Sequence, residues 1–243
     1  MQSVSEYRYV GSELVLAGAA VRWKTYWSGE ISSFIRGDVL EVGAGIGSNT
    51  RFLRGFTSGH WTCLEPDSEQ ARQLRKKLKE SPGTCGCEVV CGMLQDDLPE
   101  GNRFDTIVYI DVLEHIEDDA GELRSAEKRL RPGGRVVVLS PAYQFLYTHF
   151  DAAIGHYRRY SRSALRKLTP EGLRLEVLFN LDTCGIAASA MNKLILRQAL
   201  PTEAQLQMWD RWIVPASRLL DPMVMRRIGK SVVAVWRKPL LAD

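Results

Sequence analysis

Apolar and polar positions along this chain fall into blocks whose period changes, and the changes mark out its elements. Asp38 to Val42 reads DVLEV and runs into GAGIG, the pattern of a buried strand entering a tight turn and then a helix from Asn49 to Arg54. His60 to Leu64 is a second apolar stretch. It ends in Glu65-Pro66-Asp67 and leads into QARQLRKKLKE, whose mixed charges at helical spacing predict a solvent-facing helix. Glu88 to Cys91 predicts a short third strand, and Phe104 to Ile110 (FDTIVYI) a fourth, followed by a helix from about His115 to Leu130. Pro132-Gly133-Gly134 then breaks the chain before RVVVLS, the fifth strand.

Strands alternating with helices predict parallel βαβ units, hence an α/β, doubly wound, mostly parallel sheet with helices on both faces. Leu173 to Leu181 and Ser231 to Trp236 (SVVAVW) bring the strand count to seven. Between them, Thr183 to Arg227 carries Leu, Ile, Met and Trp at helical intervals and predicts a helical insertion that caps the sheet. Ahead of the first strand, VLAGAAVRWKTYW has a helical pattern and would close over the site from the opposite side. For both flanks the plainer reading is packing against the sheet, since apolar stripes on helices are usually core. No repeat, linker or charge run divides the chain. A single domain is expected, with an N-terminal helical cap over residues 1–36, a core over 37–182, the insertion over 183–228 and a last strand and tail over 229–243.

Composition narrows the class. With 243 residues, 45% of them hydrophobic and 25% charged, the chain can bury a full core, which excludes a fibrous or disordered protein. The net charge of +3, with a pI near 8.6, is too slight to imply nucleic acid unless the basic residues cluster, and they do so only around Arg158 and Arg226. No apolar run approaches the ~18–20 residues of a membrane span, and no basic flank precedes an apolar stretch at the N-terminus. A soluble, unexported protein is expected. Five cysteines, an odd number in a chain this long, argue against a disulfide framework and make the cytoplasm the default compartment. Cys85, Cys87 and Cys91 fall close together, but no second pair at zinc-ligand spacing follows, so no metal site is expected.

In an open parallel sheet, ligands bind at the carboxyl ends of the strands beside the first strand–turn–helix, where VLEVGAGIG lies. Gly43, Gly45 and Gly47 follow G-x-G-x-G spacing, whereas a dinucleotide turn would place glycine at position 48, where this chain has Ser48. A pyrophosphate also wants an uncluttered helix N-terminus, and Glu41 would put a carboxylate beside it. That carboxylate suits a cation better. Glu65, closing the second strand, can accept hydrogen bonds from both hydroxyls of a ribose.

These residues carry a resemblance. The chain is similar to class I S-adenosylmethionine-dependent methyltransferases: VLEVGAGIG resembles the first motif of that family, LEPD its acidic second-strand end, FDTIVYIDVLEHIED its fourth-strand motif and LRPGGRVVVLSPA its fifth-strand motif, over roughly residues 38 to 142. The resemblance implies that S-adenosyl-L-methionine is the cofactor and S-adenosyl-L-homocysteine the product. Carried over by position, it implies that Gly43, Gly45, Gly47 and Asn49 line the methionine and ribose portion, with Glu41 near the amino group. Glu65 would hold the ribose hydroxyls, Pro66 and Asp67 would flank the adenine or ribose edge, and Gly92, Met93 and Leu94 would cover the adenine. Many relatives have Asp where Met93 stands, which leaves the adenine amino group to Gln95 or Asp96. Asp111 and Val112 would lie along the methionine moiety, with His115 one turn into the next helix. For His115 a structural role is the competing reading, and for Glu114 and Glu117 the helix dipole explains acidity without chemistry.

After the fifth strand comes SPAYQFLYTHFDAAIGHYRRYSRSALRKL, at the edge of the sheet where an acceptor would sit. It includes Asp151, Gly155, His156, Arg158, Arg159 and Tyr160 in a D-x-x-x-G-H-x-R-R-Y pattern that resembles a subset of the family. Two accounts compete. In one, His149 or His156 is a general base while Arg158 or Arg159, with Tyr147 and Tyr157, binds an anionic acceptor. In the other, Asp151 pairs with Arg158 or Arg159 and the pattern locks a lid. The expected reaction is methyl transfer to a small-molecule acceptor, at oxygen ahead of nitrogen or carbon because candidate bases are present. Trp23, Trp27, Trp209 and Trp212 hint at an apolar or ring-bearing acceptor, though such residues are more often core. A nicotinamide-dependent dehydrogenase, a nucleic-acid methyltransferase and a non-catalytic cofactor-binding subunit are the rival readings, and a homodimer stays open as an assembly.

Overall fold

In a computed structural model describing residues 19–80, 86–99, 101–191 and 202–240, seven strands form one sheet in the order β3-β2-β1-β4-β5-β7-β6. They are β1 (Val39–Val42), β2 (Trp61–Glu65), β3 (Cys87–Cys91), β4 (Phe104–Ile110), β5 (Leu130–Pro141), β6 (Arg174–Leu181) and β7 (Ser231–Arg237). β1 pairs in parallel with β2 on one side and β4 on the other, so the strand order reverses at β1. β7 runs antiparallel between β5 and β6. The architecture is the doubly wound, mostly parallel sheet that the alternation of elements predicts.

The helices are α1 (Val21–Ile31), α2 (Thr50–Leu53), α3 (Ser68–Glu80), α4 (Asp119–Arg129), α5 (His149–Ala153), α6 (Arg162–Lys167), α7 (Thr183–Met191), α8 (Glu203–Met208) and α9 (Val214–Met223). Each central strand is buried on both faces, as parallel strands covered by helices must be. One apolar layer gathers Trp27, Ile31, Leu53, Leu74 and Val214 against Val39 and Val108, and the other gathers Leu123, Ala126 and Leu165 against Leu40 and Ile107. Fully burying such a side chain is worth roughly 1.5–3 kcal/mol.

Two boundaries differ from the sequence reading. The helix expected from His115 starts at Asp119 instead, because the Asp118 carboxylate caps it by accepting from the Gly121 N–H at 2.8 Å, and Leu113–His115 forms a separate 3-10 turn. The Pro132-Gly133-Gly134 break is absorbed into β5: Leu130 pairs with Phe104 and Arg135 with Thr106, with a register shift between the two pairs.

The flanks meet each other. Asp210 of the insertion accepts from the backbone N–H groups of Arg22 and Trp23 at 3.1 and 2.8 Å, satisfying the exposed amides at the start of α1. Trp23 and Trp209 lie with ring centroids 5.6 Å apart. The parts of both flanks at residues 1–18 and 192–201 lie outside the described residues.

Candidate active site

A cavity of about 900 Å³ opens at the carboxyl ends of β1, β2, β4 and β5, and both flanks contribute to its wall through Trp23, Trp27 and Trp209. Trp212 is exposed and does not. The loop after β1 needs glycine at position 43 for two reasons. Its φ is +65°, and a Cβ there would sit 2.6 Å from a Val112 methyl. The N–H of Gly45 donates to Oε2 of Glu65 at 2.7 Å, and the N–H of Asp67 donates to Oε1 at 2.9 Å. Glu65 is thereby aimed into the cavity with each oxygen still holding a lone pair to offer, and burial raises its pKa to about 7.

Gly43, Gly45, Asn49, Glu65, Pro66, Gly92, Met93, Leu94, Asp111, Val112, His115, His156 and Arg159 all line this cavity. Several expected contacts do not. Strand alternation turns Glu41 with Val39 away from the cavity, where Glu41 accepts from Trp61 Nε1 at 3.0 Å and burial raises its pKa to about 7. Position 47 packs toward Leu74 of α3. The Asp67 carboxylate accepts from the N–H groups of Glu69 and Gln70, at the start of α3. Among the described residues, Lys24 is a cavity cation that sequence reasoning passed over. It is buried on α1, its Nζ donates to Oδ1 of Asn49 at 2.5 Å, and burial lowers its pKa to about 8 against the opposing pull of Asp111. Its only sequence signal is a lysine inside an aromatic helical stripe.

On the opposite wall stands the segment after β5. His149 is exposed and off the cavity, so the position expected for a base is instead the first residue of a short surface helix. Asp151 is buried, and Arg159 donates to it through Nε and Nη2 at 2.8 and 3.0 Å. Nδ1 of His156 lies 3.0 Å from Oδ1 of the same carboxylate. Burial pushes the Asp151 carboxyl up, but the bonds from His156 and Arg159 outweigh it and hold the group well below the usual carboxylate range. The Asp151–Arg159 pair is the one that the lock reading of the D-x-x-x-G-H-x-R-R-Y pattern expects, while His156 and Arg159 also line the cavity. Arg158 turns away from the cavity to Asp119 at 2.6 Å, and Tyr160 donates to the same Asp119 at 2.7 Å. Tyr147 donates to the His156 carbonyl at 2.6 Å, and Tyr157 is exposed beneath the Arg158 guanidinium; neither lines the cavity.

The 3-10 turn after β4 completes the floor. Glu114, set aside in the sequence as a helix-dipole residue, is fully buried, and its Oε2 accepts from Ser140 Oγ at 3.0 Å. Burial raises its pKa well above the ordinary value, with Asp111 adding to the effect. His115 meets His156 edge to face with centroids 4.4 Å apart, and burial lowers its pKa to about 4. Cys91 is a free thiol on β3, the strand that also carries Cys87, and Cys85 lies outside the described residues.

A glycine turn over an acidic strand end, at the reversal point of a seven-stranded sheet with an antiparallel β7, defines a class I methyltransferase architecture. Comparison with known proteins agrees. The family described as a methyltransferase domain matches residues 24–174, so the chain belongs to the class I S-adenosylmethionine-dependent methyltransferase family. A curated relative, an uncharacterised 37.1 kDa protein in transposon TN4556 of Streptomyces fradiae, is 26% identical over 164 residues, covering 66% of this chain and 46% of that protein. The chain therefore spans about half the length of that relative. Among solved structures, a putative sarcosine dimethylglycine methyltransferase from Galdieria sulphuraria superposes with a TM-score of 0.63 at 18% identity, covering 92% of this chain and 88% of the other. Coclaurine N-methyltransferase bound to N-methylheliamine and S-adenosylhomocysteine superposes with a TM-score of 0.60 at 13% identity, covering 90% and 73%. Among the described residues no helix is long and apolar enough to cross a membrane.

Proposed function

We propose that this chain transfers the methyl group of S-adenosylmethionine to an oxygen of a small-molecule acceptor held under the two helical flanks. The observation that carries the reading is Glu65, presented to the cavity by the N–H groups of Gly45 and Asp67 with acceptor capacity left for two ribose hydroxyls. The donor set fits the rest of the cofactor: Lys24 suits a methionine carboxylate, Asp111 an ammonium, and Met93 and Leu94 an adenine face. The structural relative with S-adenosylhomocysteine bound supports the same ligand here. Bound there, S-adenosylmethionine supplies an electrophilic methyl whose leaving thioether needs no proton.

The chain's own work is then alignment and exclusion of water. Trp23, Trp27 and Trp209 close the cavity from the two flanks and favour an apolar or ring-bearing acceptor. Of the two histidines expected as bases, His156 is the one on the wall, with Asp151 behind it, an arrangement suited to taking a proton from an acceptor hydroxyl. A small molecule is favoured over nucleic acid because Arg158, Arg159 and Arg226 are committed to Asp119, Asp151 and Glu30.

Calorimetric titration with S-adenosylmethionine, S-adenosylhomocysteine and NADH side by side tests the reading. Micromolar binding of both sulfur compounds and none of NADH is expected. Silence from both sulfur compounds, or binding of NADH in their place, would overturn it.

A further inference from the structure

We infer that Glu114, His115 and His156 form a binding site for a divalent first-row transition metal ion in the floor of the cavity. One ligand atom from each of the three residues falls within 4.8 Å of the others, and Nε2 of His156 lies 3.9 Å from Oε1 of Glu114. Metal bonds of ~2.0–2.2 Å at tetrahedral angles set ligand atoms ~3.4 Å apart, so small side-chain adjustments close the shell.

A second observation points to a cation independently of this spacing. Oε1 of Glu114 is fully buried and has no hydrogen-bond partner among the described residues, although Oε2 of the same carboxylate is satisfied by Ser140. Leaving a buried carboxyl oxygen without a partner is costly, and a metal ion that displaces the carboxyl proton at this point removes the cost.

The surroundings orient the ligands as a metal site requires. An ionised carboxylate only accepts, so at the 3.0 Å contact with Asp151 the donor is Nδ1 of His156, and Nε2 is the ring nitrogen that faces Glu114. His115 hydrogen-bonds the Gly155 backbone, and Gly155 itself has a φ of +85°. The N–H of Tyr157 donates to the Glu114 carbonyl at 2.9 Å, pinning this loop to the 3-10 turn. Arg159, whose charge acts on Glu114, is already paired with Asp151. The D-x-x-x-G-H-x-R-R-Y segment thus clamps one ligand, His156, against two others that follow β4. Two imidazoles and a carboxylate form a mixed N/O set suited to Zn²⁺, Fe²⁺ or Co²⁺ rather than to Mg²⁺ or Ca²⁺. Such a site keeps positions open toward the cavity, where Asp111 also faces. Its role, which rests on the methyltransferase reading, is to hold the acceptor oxygen and lower its pKa, so that the hydroxyl proton passes to water and His156, when the metal is bound, serves as ligand in place of the proton-accepting role given to it above.

The test uses this chain, stripped with chelator, titrated with Zn²⁺ by calorimetry and with Co²⁺ by visible absorption. One equivalent is expected to bind, with X-ray absorption showing a nitrogen and oxygen shell that includes imidazole. Addition of acetohydroxamate, a bidentate oxygen donor, should shift the cobalt spectrum through the open positions. Glu114→Gln and His156→Ala should each weaken Zn²⁺ binding by more than the roughly 10–100-fold typical of losing an outer-shell partner. His60→Ala, which removes an exposed histidine 3.2 Å from Glu88, should not. Binding that is absent, that survives both ligand variants, that fails in His60→Ala, or that shows sulfur from Cys87 or Cys91 in the shell would overturn the site. If a ligand variant fails to fold, the cobalt and X-ray absorption spectra of the unaltered chain still decide. Titration with S-adenosylhomocysteine in parallel reads the cofactor cavity alone, so metal silence with intact nucleoside binding defeats this inference and leaves the methyltransferase reading standing.

Discussion

Oδ1 of Asp151 lies 3.0 Å from Nδ1 of His156, and this contact decides which imidazole nitrogen faces the cavity. The same carboxylate accepts two bonds from Arg159 and one from the Thr148 N–H, so one buried Asp holds a histidine, an arginine and the start of α5. Of the two accounts the sequence leaves open for this segment, the pairing of Asp151 with an arginine is the one seen at Arg159, while Arg158 and Tyr160 turn to Asp119.

Asp151→Asn should therefore destabilise the chain by up to about 3–5 kcal/mol, because the part-buried Arg159 loses the buried charge it pairs with. Urea denaturation at neutral pH measures the loss. The Asp151 pKa is lowered on folding, so its stabilisation is present above the carboxylate range and lost as pH falls through it. The gap between the two proteins should narrow in acid, and a constant gap would place the pairing elsewhere.

Glu65→Ala should weaken S-adenosylhomocysteine binding by ~1.5–3 kcal/mol, the loss of hydrogen bonds to a charged group, or roughly 10–150-fold in Kd. Calorimetry reads this directly. An unchanged affinity would remove Glu65 from the ribose.

Lys24→Met keeps the aliphatic stem and deletes the charge. Affinity for S-adenosylhomocysteine should fall by a similar ~1.5–3 kcal/mol, while affinity for adenosine, which lacks the amino-acid end, stays the same. Equal losses for both ligands would mean that Lys24 shapes the cavity and does not contact the carboxylate.

Glu41 makes the ligand-free chain sensitive to pH. Its buried carboxyl keeps its proton up to about pH 7 in the folded state, against an ordinary value of 4.5, so the folded chain binds more protons than the unfolded chain between those values. Stability should decline as pH rises from about 5 to 7. Glu41→Gln, which still accepts from Trp61, should flatten that decline in thermal melts. Some slope will remain, because Glu65 titrates in the same window.

His149→Ala should leave S-adenosylhomocysteine affinity unchanged and alter stability by no more than ~0.5 kcal/mol, as expected for an exposed side chain off the cavity. A large loss of affinity would return His149 to the site.

Local pattern alone determined the order of strands and helices, the glycine turn after β1 and the acidic end of β2, because each is written within a few neighbouring residues by apolar period and backbone requirement. The turn and Glu65 stand at fixed places relative to two strand ends, which marks where a nucleoside ligand would sit, and S-adenosylmethionine is what the family resemblance implies. Only the tertiary structure decided that His156 and not His149 lines the cavity, that Glu41 turns to the far face, and that Lys24 enters from α1. Those outcomes depend on which face of a strand or helix is covered and by what, and no local spacing carries that information. Glu114 and His156 stand 42 positions apart, and they meet because the segment after β5 folds back over the turn after β4, anchored by Tyr157 to the Glu114 carbonyl. Contacts of that range are set by packing of the whole sheet, so spacing along the chain does not announce that Glu114, His115 and His156 converge.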